Sequence, residues 1–125
     1  MQVIFAVKDV TRSVAFYEQA LGWPRNPKIS FANYVELQAP EGGTLGLYDR
    51  NGYAGEVGAE PAELNGHVAP AYLYVRVPNV DDAVAAFEAA GARPLSPLAD
   101  RVWGERAAWF ADPDGNVVAV AERLS

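Results

Sequence analysis

The side chains that most often hold transition metals or act as nucleophiles are scarce in this chain of 125 residues. It has a single histidine, His67, and no cysteine. Zinc, iron and nickel sites usually draw on two or more imidazoles or on thiolates, so a metal site here would need an unusual ligand set. The lack of cysteine also excludes disulfides and agrees with a reducing compartment, so we expect a cytoplasmic protein.

The overall charge argues against nucleic acid as a partner. The chain has 10 basic and 16 acidic side chains and a net charge of −6, whereas proteins that bind nucleic acid need a basic surface. It contains no apolar run of the roughly 18 residues that a membrane span needs. The N-terminus also reaches Lys8 and Asp9 before a signal-peptide core could form. We therefore expect one globular domain with neither a membrane span nor a secretion signal.

An internal repeat determines the elements that must position any site. A shift of 70 residues lays residues 7–18 over 77–88, with matching valine, alanine and glutamate positions. A shift of 73 residues lays residues 40–50 over 113–123. The two halves are therefore copies of one unit, with modules at about 1–50 and 71–125.

Each copy is predicted to contain one helix among short strands. Apolar residues recur at helical spacing over residues 10–21 and 80–87. The capping candidates are Asp9 or Thr11 and Asn79 or Asp81, and the helix stops are Gly22 and Gly91. The predicted strands lie at residues 3–7, near 29–38 and at 44–49 in the first copy, and at 72–77, 94–98, 105–111 and 117–122 in the second. The predicted unit is βαβββ.

Residues 51–70, between the copies, are rich in glycine and proline and are predicted to form a loop. A stretch of this length without clear structure is often either a lid or a mobile connector. The sequence leaves both possibilities open.

Two βαβββ units in a chain of this size resemble the vicinal oxygen chelate superfamily, which includes glyoxalase I, extradiol dioxygenases, fosfomycin-resistance enzymes and bleomycin-resistance proteins. The matching residues lie within 7–22 in the first half and within 77–92, 103–106 and 110–116 in the second, where Asp112 opens an Asp-Pro-Asp-Gly-Asn turn. The resemblance implies one α+β domain over residues 1–125. In that fold the two βαβββ repeats form a cup-shaped, half-open mixed sheet with helices on its outer face.

The same resemblance places the metal ligands of the family at four positions, one on the first and one on the last strand of each unit. In this sequence they are Gln2, Gly46, Tyr72 and Ala119. None is histidine or glutamate, and glycine and alanine have no side-chain donor. His67 lies five residues before Tyr72 and out of register, so we interpret it as a loop or surface residue. We therefore expect no metal ion and no other cofactor.

Strand parity divides the side chains between the cup and the helix-covered face. Counting from the ligand register puts Gln2 and Ile4 on the cup side and Phe5 and Val7 on the helix side. The predicted ligand-binding residues are Tyr34, Glu36, Tyr48, Tyr72, Tyr74, Arg76, Trp103 and Trp109. Aromatic walls of this kind suit a flat or cationic organic ligand. The alternative is that these rings fill a closed core or a dimer interface.

Glu36 is the most informative of these residues, because a carboxylate among aromatic rings must pair with a cation or be protonated more easily. It is interpreted as a ligand anchor, as a structural partner of Arg76 or Arg106, or, if the strand parity is shifted by one residue, as an exposed side chain. The loop carboxylates Glu56, Glu60 and Glu63 are interpreted as solvated loop residues, and attraction of a basic ligand by their charge is the secondary interpretation.

The resemblance and the missing metal ligands together favour a metal-free small-molecule binding protein of the bleomycin-resistance type, which sequesters a drug or a metabolite. The first alternative is a lyase, isomerase or dioxygenase that uses a non-family metal site, or a metal-free acid–base enzyme built on Glu36, Tyr72 and Arg76. The second is an interaction module without chemistry of its own. Open sheet edges lead us to expect a homodimer whichever of these functions holds.

Overall fold

The computed structural model describes residues 1–29 and 31–125, and this part of the chain forms three helices and two mixed sheets. The predicted α+β class is therefore confirmed. The chain divides into two compact units. The first comprises Met1–Glu18 and Gly22–Glu63, and the second comprises Gln19–Leu21 and Leu64–Ser125. Among the described residues, no helix has the length and apolar character needed to cross a bilayer.

The first unit is built on a three-stranded sheet of order β1-β3-β2. Its elements are β1 (Gln2–Val7), α1 (Val10–Leu21, which ends in residues grouped with the second unit), β2 (Tyr34–Gln38), β3 (Thr44–Asp49) and α2 (Arg50–Val57). The strand β1 is parallel to β3, and β2 is antiparallel to it.

The second unit has a four-stranded sheet of order β4-β7-β6-β5. Its elements are β4 (Tyr72–Arg76), α3 (Val80–Ala89), β5 (Arg93–Asp100), β6 (Glu105–Ala111) and β7 (Val117–Arg123). The strand β4 is parallel to β7, and the other pairs are antiparallel. This unit has the predicted βαβββ order.

The first unit departs from the predicted order, because the counterpart of β5 is reduced to a single bridge between Arg25 and Leu37. Two backbone hydrogen bonds flank that bridge, from Asn26 N to Glu36 O and from Gln38 N to Pro24 O, both 2.8 Å. A turn follows at once, in which Ile29 N donates to Asn26 O at 3.2 Å, so that oxygen is used within the turn and the ladder is not extended. The first unit is therefore βαββ, followed by α2, over the described residues.

The two repeat helices begin at equivalent residues, as the shift of 70 predicts. The Asp9 side chain accepts a hydrogen bond from Arg12 N at 3.1 Å, and the Asn79 side chain accepts one from Asp82 N at 3.0 Å. Of the capping candidates, Asp9 and Asn79 are therefore the caps. The first helix ends at Gly22, whose φ of 70° suits a residue without a side chain.

One face of each sheet packs against its helix, which confirms the predicted parity. The Phe5 ring contacts Tyr17 of α1 at 6.2 Å, and Leu37, Leu45 and Leu47 are fully buried. In the second unit, Phe87 of α3 and Phe110 of β6 stack with ring centroids 5.1 Å apart. Residues between these positions in the strands point to the opposite face of each sheet, which leaves that face for a site.

The prediction of a loop over residues 51–70 is wrong at its start, because residues 50–57 form α2. Asp49 caps the helix by accepting a hydrogen bond from Gly52 N at 2.8 Å, and Gly58 ends it with a φ of 83°. The Arg50 guanidinium donates to Pro61 O at 2.6 Å and pairs with Glu63 at 3.4 Å. These contacts of Arg50 therefore hold the segment that follows α2 against the start of the helix.

Candidate functional site: two aromatic surfaces

A cavity of about 430 Å³ lies within the first unit, on the sheet face opposite α1. Its volume falls within the range of roughly 300–1,000 Å³ that is typical of small-molecule sites. The lining residues come from β1, β2, β3, α2 and the turn before β2, and they are Ile4, Phe31, Asn33, Tyr34, Tyr48, Tyr53, Glu56 and Val57. Four of the eight are aromatic, so the cavity has the composition of a site for an organic molecule.

The predicted residues Tyr34 and Tyr48 form adjoining parts of this wall. Their rings meet edge to face with centroids 5.2 Å apart. The Tyr34 ring lies over Gly46 of β3, where a Cβ atom would be only 2.5 Å from the Tyr34 hydroxyl oxygen. Glycine at position 46 is therefore what allows the Tyr34 ring to approach β3 this closely.

Glu36 lies behind Tyr34 and is not among the residues that line the cavity. The Tyr34 hydroxyl donates to Glu36 at 2.9 Å, Asn26 Nδ2 donates to it at 3.1 Å, and Gln2 Nε2 donates to the same carboxylate and to the Tyr34 oxygen. The donors to the Glu36 carboxylate are therefore neutral groups. They are not Arg76 or Arg106, the two partners considered from the sequence. Burial, together with the hydrogen bond to Glu36, raises the pKa of Tyr34 to about 12.

The helix α2 supplies the part of the cavity wall that the sequence analysis missed. Tyr53, Glu56 and Val57 line the cavity. Gly52 allows the helix to approach, because a Cβ atom there would overlap the Tyr48 ring. Glu56, interpreted from sequence mainly as a solvated charge, is the one carboxylate among the lining residues.

The other five predicted site residues lie in the second unit and are in contact with one another. The Trp109 ring is 5.9 Å from Tyr72, 6.3 Å from Tyr74 and 6.1 Å from Trp103, measured between centroids. Tyr72 and Trp103 are 54% and 53% exposed, so the cluster presents aromatic surface to solvent. The Arg101 guanidinium lies 4.9 Å from the Trp109 ring centroid, a cation–π distance.

Glu105 organises this cluster, although the sequence analysis used it only as part of a motif. It is 4% exposed and accepts hydrogen bonds from Arg76 Nε and from the Tyr74 hydroxyl, both at 2.7 Å. Trp103 Nε1 donates to the Tyr74 oxygen at 2.9 Å. The hydrogen bonds from Arg76 and Tyr74 lower the pKa of Glu105. Strand parity could have identified Glu105, because it lies on the same face of β6 as Trp109.

Arg106 of the second unit pairs with two carboxylates that are not among the predicted site residues. Arg106 pairs with Asp81 at 3.4 Å and with Asp100 at 3.5 Å. His67 lies in an exposed turn, where its carbonyl oxygen faces Gly115 of the Asp-Pro-Asp-Gly-Asn turn. The backbone of this segment is held there by a hydrogen bond from Ala69 N to Gly115 O at 2.9 Å.

The two sheets have the same register around their central positions. Gly46 lies opposite Ile4 on one side and Glu36 on the other, and Ala119 lies opposite Tyr74 and Trp109. Ile4 and Tyr74 differ by the predicted shift of 70, and Glu36 and Trp109 differ by 73. The repeat read from the sequence is therefore present in the strand pairing of each unit.

Comparison with known proteins agrees with this doubled architecture. The model of the Glyoxalase/Bleomycin resistance protein/Dioxygenase superfamily matches residues 2–120, and the chain belongs to that superfamily. It is 30% identical to the uncharacterized protein YraH of Bacillus subtilis (strain 168) over 129 residues, which covers 99% of this chain and 98% of YraH.

Solved structures with the same fold include a glyoxalase-related enzyme from Fulvimarina pelagi, with a TM-score of 0.83 and 20% identity. That match covers 98% of this chain and 86% of the other. TioX from Micromonospora sp. ML1 matches with a TM-score of 0.68 and 25% identity over 99% of this chain and 98% of TioX. The fold of the chain is therefore the one that its repeat and motifs predict.

The residues at the positions of the family's metal ligands do not fit a metal ion. Gly46 and Ala119 have no donor atoms, and the space beside Gly46 is filled by the Tyr34 ring. The Gln2 amide is hydrogen-bonded to Glu36 and Tyr34. Over residues 1–29 and 31–125, no three His, Cys, Asp or Glu side chains come together in a way that could hold a metal ion.

Proposed function

We propose that this protein binds a small aromatic or cationic organic molecule without a metal ion, as bleomycin-resistance-type members of the superfamily do. The observation that carries the proposal is the cavity of about 430 Å³ in the first unit, with four aromatic residues among its lining. Burial of a flat ligand against such walls removes apolar area from water and allows ring stacking.

The aromatic cluster of the second unit supports the same class of ligand. Tyr72 and Trp103 are both more than half exposed beside Trp109. Exposed aromatic surface of this extent is characteristic of contact sites for a ligand or a partner. We therefore propose Tyr72, Tyr74, Arg76, Trp103 and Trp109, together with Tyr34 and Tyr48 of the cavity, as ligand-binding residues. Glu36 acts in this proposal through its hydrogen bond with Tyr34.

A thermal-shift screen in chelator-containing buffer tests this function. Planar aromatic and cationic compounds should raise the unfolding temperature as their concentration increases, because a ligand that binds only the native state stabilises it. Metal analysis of the purified protein is the companion measurement. A stoichiometric transition metal that is lost in a His67→Ala variant would overturn the metal-free part of the proposal.

We also propose that the protein is a homodimer. Within their own sheets, β1 and β2 are the edge strands of the first, and β4 and β5 are those of the second. Edge strands and exposed aromatic side chains are often covered by association across a twofold axis. Sedimentation velocity at micromolar concentration should show a dimer, and a stable monomer would refute this proposal.

A further inference from the structure

We propose that the cavity of the first unit binds an alkylated ammonium cation carried on a planar organic group, and that Glu56 is the residue that selects for its charge. This inference rests on the proposed binding function and specifies its ligand. It concerns one site, made by β1, β2, β3, α2 and the turn before β2, and it depends on three features of the cavity wall.

The first feature is the number of aromatic side chains around one volume. Phe31, Tyr34, Tyr48 and Tyr53 all line it, and Ile4 and Val57 complete the apolar wall. Ring faces carry negative electrostatic potential and attract cations, and cages of several rings are the usual way in which proteins recognise quaternary ammonium groups. Phe31 is 65% exposed, which leaves a large apolar surface at this site available to a ligand.

The second feature is the state of the Tyr34 hydroxyl. It donates to Glu36 at 2.9 Å and accepts from Gln2 at 3.0 Å, so its hydrogen bonds are made away from a ligand. Tyr34 therefore contacts a ligand in the cavity through its ring. The hydrogen bond from its hydroxyl to a carboxylate increases the electron density of that ring. An alkylated ammonium group needs few or no hydrogen-bond acceptors, so it leaves no unsatisfied donor against such a wall.

The third feature is the charge of the lining. Among the lining residues that the structure describes, Glu56 is the one carboxylate and none is lysine, arginine or histidine. Glu56 makes no ion pair with any residue in the described ranges 1–29 and 31–125. Glu36, which accepts the hydrogen bond of the Tyr34 hydroxyl, is a second carboxylate next to the cavity wall. The local field therefore attracts a cation and repels an anion.

The test compares two probes of the same shape, the 4-hydroxyphenyl-trimethylammonium ion and its neutral isostere 4-tert-butylphenol. Both are titrated at mildly acidic pH, where the two phenols are un-ionised. The methyl resonance of Ile4, which lines the cavity, reports binding, and calorimetry gives the affinity. We expect the cation to bind about tenfold or more tightly than the isostere, a difference of about 1.4 kcal/mol.

Paired variants assign this preference to the named residues. Glu56→Gln should remove most of the preference for the cation while leaving the neutral probe nearly unchanged. Glu60→Gln removes the same charge from an exposed residue outside the cavity lining and should change neither affinity. Tyr53→Ala should lower the affinity for the cation severalfold. Tyr53→Phe, which keeps the ring, should bind the cation about as tightly as the wild type does.

The results that would overturn this inference differ from those that would overturn the proposed function. Equal binding of the two probes at Ile4 would overturn the assignment of ligand class, and an unchanged preference in Glu56→Gln would overturn the role given to Glu56. Either result leaves small-molecule binding in place. Binding of neither probe would overturn the inference as well. In that case, failure of every planar or cationic compound in the thermal-shift screen would overturn the proposed function too.

Discussion

The Tyr48 ring lies against Gly52 so closely that the first turn of α2 has no room for a Cβ atom at residue 52. The contact joins the end of β3 to the helix that closes the cavity. It also explains why α2 lies on the sheet although none of its residues is fully buried. At Gly55, three residues further along the same helix, no atom of the described residues beyond its chain neighbours and the helix backbone lies within 4 Å of the position that a Cβ would occupy, so there is room for a methyl group.

Two alanine variants of α2 should therefore have different effects on ligand binding. Gly52→Ala must displace the Tyr48 ring or the helix, so we expect it to weaken a cavity ligand severalfold. Gly55→Ala has room for its methyl group and should stabilise the helix by about 0.5–1 kcal/mol without altering affinity. Calorimetric titration and thermal unfolding of both variants measure these effects. Ligand affinity in Gly52→Ala equal to that of the wild type would mean that the Tyr48–Gly52 contact does not shape the site.

Tyr34 should ionise later than an ordinary tyrosine. Its pKa is raised to about 12 from the usual 10.0, so a spectrophotometric titration should show one phenol with a midpoint near 12 that is missing in Tyr34→Phe. The folded state then keeps a proton that the unfolded state loses. The stabilisation from this group is therefore full below pH 10 and is lost as the pH rises from 10 towards 12. A phenol with a midpoint near 12 that persists in Tyr34→Phe would assign this shift to another residue.

Glu105 should make the protein sensitive to acid. Its pKa is lowered from 4.5 by the hydrogen bonds from Arg76 and Tyr74, so the unfolded state binds a proton more readily than the folded state. The resulting stability is present above pH 4.5 and is lost as the pH falls through the lower pKa of the folded state. Chemical denaturation across this range should show the difference between wild type and Glu105→Gln shrinking with acid. Glu88→Gln, on an exposed residue of α3, is the matched control and should show no such change.

Trp109 should anchor a planar ligand at the aromatic cluster of the second unit. Binding should quench tryptophan fluorescence saturably, because Trp103 and Trp109 are two of the three tryptophans in the chain. Trp109→Ala should lower affinity by about 1–3 kcal/mol, the usual loss for an anchoring aromatic residue. Trp23→Phe alters the remaining tryptophan and should leave both the quenching and the affinity in place. Unchanged affinity in Trp109→Ala would mean that the aromatic cluster of the second unit is not a ligand-binding surface.

Most of the fold could be predicted from the internal repeat. Shifts of 70 and 73 residues identify equivalent positions in the two copies, and Gly46 and Ala119 occupy corresponding places in the two sheets. Strand parity then placed Tyr34 and Tyr48 on one face of the first sheet and Trp109 on one face of the second. Both arguments succeed because they depend on the geometry of a strand, which changes little with context.

The repeat and the strand parity could not predict the helix α2 or the hydrogen-bond partners of Glu36 and Glu105. The sequence of α2 contains two glycines and no apolar stripe, so its helical state depends on the Asp49 cap and on the contact of Gly52 with Tyr48. Glu36 and Glu105 both lie among aromatic residues, and parity alone does not say which of them meets Arg76. That depends on which strands are neighbours in each sheet.

The central claim, that the cavity of the first unit binds an organic ligand without a metal ion, is tested most directly by methyl NMR of isoleucine. The chain has two isoleucines, Ile4 and Ile29. Ile4 lines the cavity, whereas Ile29 is not among the lining residues and serves as an internal control. In the presence of a chelator, a planar cationic ligand should shift the Ile4 methyl resonance saturably and leave that of Ile29 nearly unchanged. An Ile4 resonance that stays fixed for ligands shown to bind by calorimetry, or that moves only after a divalent metal is added, would contradict the claim.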